Sequence, residues 1–376
     1  MENKITNHNV ATTDEIAAII QEAAEFYLKD PEAAAREQAP IMLRGAPGVG
    51  KSTIVKAAAK KLGIGFVDVR LAQMERVDFS GLPSVKDGMT VWNVPAFWPR
   101  DPKSKGIILL DEISSAPSDC QVAAYSFVLD RRIPNSEYEV PNGWLIVAAG
   151  NRTCDRAVVK TMSSALANRF EHYDIEANAQ DWVKWATQND IHPSVTGFIA
   201  YRPELLLKMD GQNLEQGWPS PRSWEHVSHK LKRTNDLSRL TKSVNGLVGD
   251  GAGTEFMAFH KMSAQFDNVL SVMLGDTTDF KMPTQADQKY AVASACVYHL
   301  WNGKDGEDTK KRLEGFCLIL KKMSNDFAQS MVQSAMLGNS KVSQMDAMRM
   351  LMAKYASDPT LKEKFRVNLS QMNSAL

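Results

Sequence analysis

The sequence predicts an α/β domain built on a parallel sheet, closing near residue 175, followed by an almost wholly helical remainder. Three observations predict it. Short apolar runs, Ile41-Met42-Leu43, Ile107-Ile108-Leu109-Leu110 and Leu145-Ile146-Val147, alternate with stretches of helical periodicity. Two of the runs end in polar residues, one directly in Asp111-Glu112 and one, after Ala148-Ala149-Gly150, in Asn151, as buried parallel strands do where they deliver side chains to their C-terminal edge. From about Asn178 onward the apolar spacing is helical throughout.

Taken in order, Thr12 or Thr13 caps a helix running through Glu15-Ile16-Ala17 to Tyr27-Leu28, and Asp30-Pro31 ends it. The strand at Ile41 then runs into Gly45-Ala46-Pro47-Gly48-Val49-Gly50-Lys51-Ser52-Thr53, spelled G-x-x-x-x-G-K-S and followed by a helix to Leu62. Strand, glycine-rich turn and helix are the context a phosphate-binding loop requires. Glycines let the backbone curl its N–H groups toward a phosphate chain, and the helix presents the positive end of its dipole there. Lys51 is placed to reach the β and γ phosphates of a nucleoside triphosphate, and the Ser52 hydroxyl to bind the attendant Mg²⁺. Gly63 stops the helix, and Phe66-Val67-Asp68-Val69 reads as a strand. Leu82 to Asn93 reads as a hairpin turning at Lys86-Asp87-Gly88.

The strand ending in Asp111-Glu112 comes next, then a helix through Gln121 to Leu129 and a second hairpin turning at Pro134-Asn135-Ser136. Trp144 to Ala149 is another buried strand. A helix ending in Asn168-Arg169-Phe170 leads to a last strand near His172 to Ile175. In the helical remainder, Trp182, Trp185 and Ala186 share one helix face, Phe198 and Tyr201 the next. Pro221-Arg222-Ser223-Trp224-Glu225 opens a third helix with proline in its first turn. Methionines crowd the stretch from Met323 to Met372, a pattern read as adaptable core.

Composition narrows the class. The 376 residues are 44% hydrophobic and 23% charged, which fits a soluble globular chain of two or three domains. Lys+Arg and Asp+Glu both number 44, so no global field pulls the chain toward nucleic acid or an anionic membrane. Cys120, Cys154, Cys296 and Cys317 are scattered without a C-x-x-C pair, as ordinary thiols of a reducing compartment are. No apolar run approaches the length of a membrane span, and Met1-Glu2-Asn3-Lys4-Ile5-Thr6 lacks a signal-peptide core; a cytoplasmic location is expected.

The order of these features resembles the AAA+ ATPase core: a phosphate loop, two acids ending a strand, an asparagine ending the next, and Asn168-Arg169-Phe170 before the last strand. Ser220-Pro221-Arg222-Ser223-Trp224-Glu225 is similar to the sensor-2 segment of the AAA+ helical lid. The two hairpins match the helix-2-insert branch. Within it, Pro95-Ala96-Phe97-Trp98 leading to Leu110-Asp111-Glu112-Ile113-Ser114-Ser115-Ala116 resembles the MoxR-like ATPases.

The resemblance implies an αβα nucleotide-binding core with its N-terminal helix over 1–175, a helical lid over 176–274 and a C-terminal helical extension over 275–376. It also implies ATP and Mg²⁺ as cofactors, a hexameric ring, and a protein client encoded nearby with a von Willebrand factor A domain. Asp111 would hold Mg²⁺ with Ser52, Glu112 would activate the attacking water, and Asn151 would orient that water or touch the γ-phosphate. Arg169 would act as a finger toward the neighbouring subunit's nucleotide, and Arg222 would approach the γ-phosphate of its own subunit from the lid. Such an arginine is worth roughly 10³–10⁵ in rate in related phosphoryl transfers.

Other features carry less. Asn151-Arg152-Thr153-Cys154-Asp155-Arg156 resembles the N-T-A-D-R signature of the McrB-like restriction motors, a nucleic-acid reading, but an extra residue interrupts it. Arg156 is either a second trans-acting arginine or the partner of Asp155. His226 and His229 lack a third metal ligand at suitable spacing. Trp92, Phe97 and Trp98 line either a central pore or a packed core. A nucleotide-gated switch without turnover is disfavoured by Glu112, Asn151 and Arg169 together.

Overall fold

The computed structural model describes residues 9–152, 164–209, 216–266, 268–277, 280, 282–304, 306–361 and 364. Met1 to Thr6, Thr153 to Arg156 and Met372, all named above, lie outside the described residues. The chain separates into two compact units, Met1–Ala177 and Asn178–Leu376.

In the first unit, strand β1 (Val10–Ala11) precedes helix α1 (Thr13–Lys29). Thr12 and Glu15 close a reciprocal capping box, each side chain accepting the other's backbone N–H. Asp30 ends α1 and also caps α2 (Pro31–Glu37), whose first-turn proline has no N–H to leave unpaired. The sequence predicts the stop at Asp30-Pro31 but no helix beyond it. The same two residues end one helix and begin another.

Six strands form one parallel sheet: β1, β2 (Ile41–Gly45), β3 (Gly65–Arg70), β6 (Gly106–Asp111), β7 (Trp144–Gly150) and β8 (Glu171–Ile175), in the spatial order β1-β8-β2-β7-β6-β3. Successive residues of a strand face opposite sides, and both sides are covered. Ile41, Leu43, Ile107, Leu109, Leu145 and Val147 pack with residues of α1 and of α3 (Lys51–Leu62). Met42, Ile108, Leu110, Ile146 and Ala148 join the other core with Phe127 and Ala124 of α5 (Ser118–Asp130). That double burial is why these strands read as unbroken apolar runs.

Between β3 and β6 stand the short helix α4 (Arg76–Ser80) and a separate two-stranded hairpin, β4 (Leu82–Lys86) and β5 (Met89–Asn93). Asp87 and Gly88 take positive φ, 52° and 74°, the pair of left-handed residues that a tight two-residue hairpin turn requires. After it, Trp98 is fully buried, donates Nε1–H to Phe79 O at 3.1 Å and lies 4.4 Å from the Phe127 ring. Trp98 is therefore core, while Trp92 is half-buried and Phe97 exposed. The second hairpin reduces to a single antiparallel bridge, Arg132 with Glu139. Helix α6 (Ser164–Ala167) ends before Asn168, so Asn168-Arg169-Phe170 forms a turn rather than the end of a helix.

The regular elements described in the second unit are helices, from α7 (Ala179–Gln188), α8 (Pro193–Tyr201), α9 (Pro221–Leu231), α10 (Leu237–Val248), α11 (Asp250–Ser263) and α12 (Val269–Leu274) to α13 (Ala286–Trp301), α14 (Gly306–Lys322), α15 (Asn325–Met336) and α16 (Gln344–Ser357). Val269, Val272 and Met273 of α12 share one core with Cys296, Trp301, Phe316, Leu320 and Leu351. Met323, Met331 and Met336 are buried in it, Met348, Met350 and Met352 pack against it, and Met345 is exposed. Among the described cysteines, Cys120, Cys296 and Cys317 are free and buried. No helix among the described residues is long and apolar enough to cross a membrane.

Candidate nucleotide site

Parallel strands bring their C-terminal ends to one edge of the sheet, and the site is assembled there. The register aligns Gly45 with Ile175, Arg44 with Gly150, and Arg70 with Asp111. Gly45 opens the loop at the end of β2. Gly48 (φ 80°) and Gly50 (φ 107°) hold backbone angles that a side chain disfavours, and Gly50 serves as the N-cap of α3 without a side-chain cap. The N–H groups of Lys51, Ser52 and Thr53 begin the helix, so their donors face the loop with no intrahelical acceptor.

Two short links join the loop to the neighbouring strands. Buried Lys51 donates from Nζ to Gly45 O at 2.7 Å, to Ala46 O at 3.1 Å and to Asn151 Oδ1 at 3.0 Å. Ser52 Oγ donates to Asp111 Oδ2 at 2.5 Å. The cation, the hydroxyl, the buried carboxylate and the neutral amide thus converge from three places, the first turn of α3, the end of β6 and the residue just past β7. Glu112, one residue beyond Asp111, is exposed and adopts φ 57°, a left-handed conformation costly for a residue with a Cβ. Its N–H donates to Asp111 Oδ1 at 2.9 Å, which turns the second acid away from the sheet while the first stays packed. Ser114, to which the sequence assigns no role, accepts the Asn151 N–H on its Oγ at 3.1 Å. No sequence signal marks it, since a serine after an acidic turn is ordinary.

Arg169 is not among these contacts. Arg169 lies in the turn before β8, its guanidinium carbon 4.1 Å from the centre of the Tyr125 ring and its Nη1 buried without a hydrogen-bond partner. Cation–π stacking of this kind holds a guanidinium without consuming its donors. Arg222 is exposed in the first turn of α9, in the second unit. Ser220 caps that turn by accepting from Ser223 N at 3.2 Å, and Trp224 anchors it through Nε1–H to Leu205 O at 2.8 Å. His226 and His229 are exposed, and no group of three or more His, Cys, Asp or Glu among the described residues is placed to hold a metal ion.

Residues 40–170 match the family described as AAA domain (dynein-related subfamily). With the sheet and the loop above, this makes residues 40–170 an AAA domain with the AAA+ P-loop α/β core. Protein NorQ of Paracoccus denitrificans (strain Pd 1222) is 27% identical over 234 residues, spanning 58% of this chain and 86% of NorQ. The AAA domain and the likeness to NorQ together support a MoxR-like AAA+ ATPase. Midasin of Giardia intestinalis is 24% identical over 259 residues, which is 62% of this chain but 5% of midasin. Among solved structures, a mutant form of Thermotoga maritima RuvB shares 15% of residues over 88% of each chain at a TM-score of 0.35, a likeness too low to add to the assignment.

Proposed function

We propose that this chain is a ring-forming, cytoplasmic, Mg²⁺-dependent enzyme that hydrolyses ATP to ADP and phosphate and uses the cycle to remodel, activate or load a protein client. The observation that carries the proposal is the convergence of Lys51, Ser52, Asp111 and Asn151 at one sheet edge, with Lys51 3.0 Å from Asn151 and Ser52 2.5 Å from Asp111. The donor set fits Mg²⁺: a hydroxyl and a carboxylate are hard oxygen ligands, few enough for the ion to keep waters and phosphate oxygens. Bound there, the ion would neutralise charge on the phosphates.

The chain's own residues do the rest. The loop N–H groups and Lys51 bind and orient the phosphates. Glu112 takes the proton from a water whose oxygen forms the bond to the γ-phosphorus as the bond to the β–γ bridging oxygen breaks. Asn151, with an amide that both donates and accepts, orients that water or the γ-phosphate. Arg169 serves the site of the next subunit in a ring, which we take to be hexameric. Arg222 serves its own site from a lid over 176–274, with 275–376 as a further extension.

The client we favour is a co-encoded protein with a von Willebrand factor A domain, met by the exposed hairpin β4–β5. Turnover measured with that protein, and separately with DNA, tests the reading. Stimulation by the protein supports it, and stimulation by DNA alone supports the McrB-like motor instead.

A further inference from the structure

We infer that Ser114 is a positioning residue for Asn151; the inference rests on the reading of Asn151 as the group that meets the γ-phosphate or the attacking water. Ser114 is buried in the 3-10 turn Ile113–Ser115, which follows Glu112 directly. Its Oγ accepts the Asn151 backbone N–H at 3.1 Å, and Asn151 Oδ1 accepts from Lys51 Nζ at 3.0 Å. Asn151 is the first residue past β7, whose register with β2 ends at Gly150 opposite Arg44. Where the sheet ladder stops, the Ser114 hydroxyl takes over, so the asparagine side chain starts from a fixed backbone atom.

The anchor is itself held. Gln121 of α5 donates from Nε2 to Ile113 O at 3.1 Å and to Ala116 O at 3.3 Å, gripping the turn at both ends. Glu112 N–H is tied to Asp111 at its start. The fit against β7 is close: a Cβ on Gly150 would stand 2.6 Å from Ser114 Oγ. One continuous path therefore runs from the acid pair through the turn and Ser114 to Asn151 and Lys51. It fixes the spacing between the residue that activates water and the residue that orients it. Reaction rates respond steeply to such placement, whereas triphosphate binding, carried by the loop and Lys51, does not depend on it.

The test compares Ser114→Ala, Gly150→Ala, the double variant and Asn151→Ala. The readouts are thermal midpoint, affinity for a fluorescent ATP analogue and steady-state kcat. Ser114→Ala removes the acceptor, and Gly150→Ala pushes the same oxygen from the opposite side, so one of the two serves if the other does not fold. Each is expected to lower kcat on the order of tenfold with affinity changed by less than about twofold, the pattern of a lost transition-state interaction. The double variant is expected to be no slower than Ser114→Ala alone, because both substitutions break one bond. A folded Ser114→Ala protein with kcat within about twofold of wild type, beside a slow Asn151→Ala, overturns the role of Ser114 and leaves that of Asn151 standing. Effects that multiply, or a loss confined to affinity, overturn it as well. A wild-type kcat for Asn151→Ala itself removes the reading on which the inference rests.

Discussion

Lys51 is the point where the residue-scale chemistry is decided. It is a buried cation among two carbonyls and an amide oxygen, and it carries the charge that loop N–H groups alone cannot supply. Lys51→Ala is expected to abolish triphosphate binding by titration calorimetry; an unchanged affinity would remove the loop from the site. Glu112 differs, because its carboxylate is exposed and Asp111 occupies the position facing Ser52. Glu112→Gln keeps the shape and loses the base. It is expected to bind ATP normally while turnover falls by about 10²–10⁴, the range general acid–base catalysis supplies. Near-wild-type turnover would take Glu112 out of that role. The residues of the loop were legible in the sequence because their function is written in backbone conformation, which glycine spacing records. Ser114 and Tyr125 were not, because each acts through a contact with a residue distant in the chain, 37 and 44 positions away.

At the scale of elements, the hairpin β4–β5 stands apart from both cores of the first unit. Leu82, Val85, Met89 and Val91 are all exposed, and none of its residues joins a core cluster. Replacing residues 82–93 with a flexible Gly/Ser linker is therefore expected to leave the thermal midpoint within a few degrees of wild type, since little apolar burial is lost. Client stimulation of turnover is expected to vanish in the same protein. A collapse of the fold would make the hairpin a structural element instead. Its turn was legible from Lys86-Asp87-Gly88 because a tight hairpin needs left-handed residues at fixed places. The neighbouring Trp98 was not, since an aromatic residue reads the same on a pore wall and in a core.

Two consequences belong to the whole molecule. If Arg169 completes the site next door, hydrolysis per subunit should rise with protein concentration and plateau as rings form. Arg169→Ala should bind nucleotide normally yet hydrolyse slowly, and mixing it with Lys51→Ala should restore part of the activity, because Lys51→Ala subunits lend intact arginines to competent sites. Mixed rings that stay inactive would show that Arg169 does not act in trans.

The second consequence concerns acid. Burial, reinforced by His260 and Lys232 and opposed by Asp190, pushes His192 down to about 4, and burial with Arg312 nearby pushes His299 down to about 4. Both imidazoles are held neutral in the fold and protonate more readily once unfolded. Their contribution is whole above pH 6.5, the ordinary histidine value, and is lost as pH falls toward 4, by up to about 3 kcal/mol each. The thermal midpoint should fall between pH 7 and pH 5, and less so in a folded His192→Gln, His299→Gln variant; an unchanged slope would sink the attribution.

The sequence by itself determined the loop, the two buried strands with their polar ends, the change from alternating to wholly helical pattern and the capped start of α1. Each is a local property: glycine spacing, side-chain period or a cap within three residues. Only the tertiary structure decided that Asn151 meets Lys51 across 100 positions, that Ser114 anchors Asn151, that Asn168-Arg169-Phe170 is a turn, and that Trp98 is core. Those outcomes depend on which strands become neighbours. Parallel pairing of segments far apart in the chain, here β2 with β7, is settled by packing over both faces of the sheet, and no window of the sequence contains it.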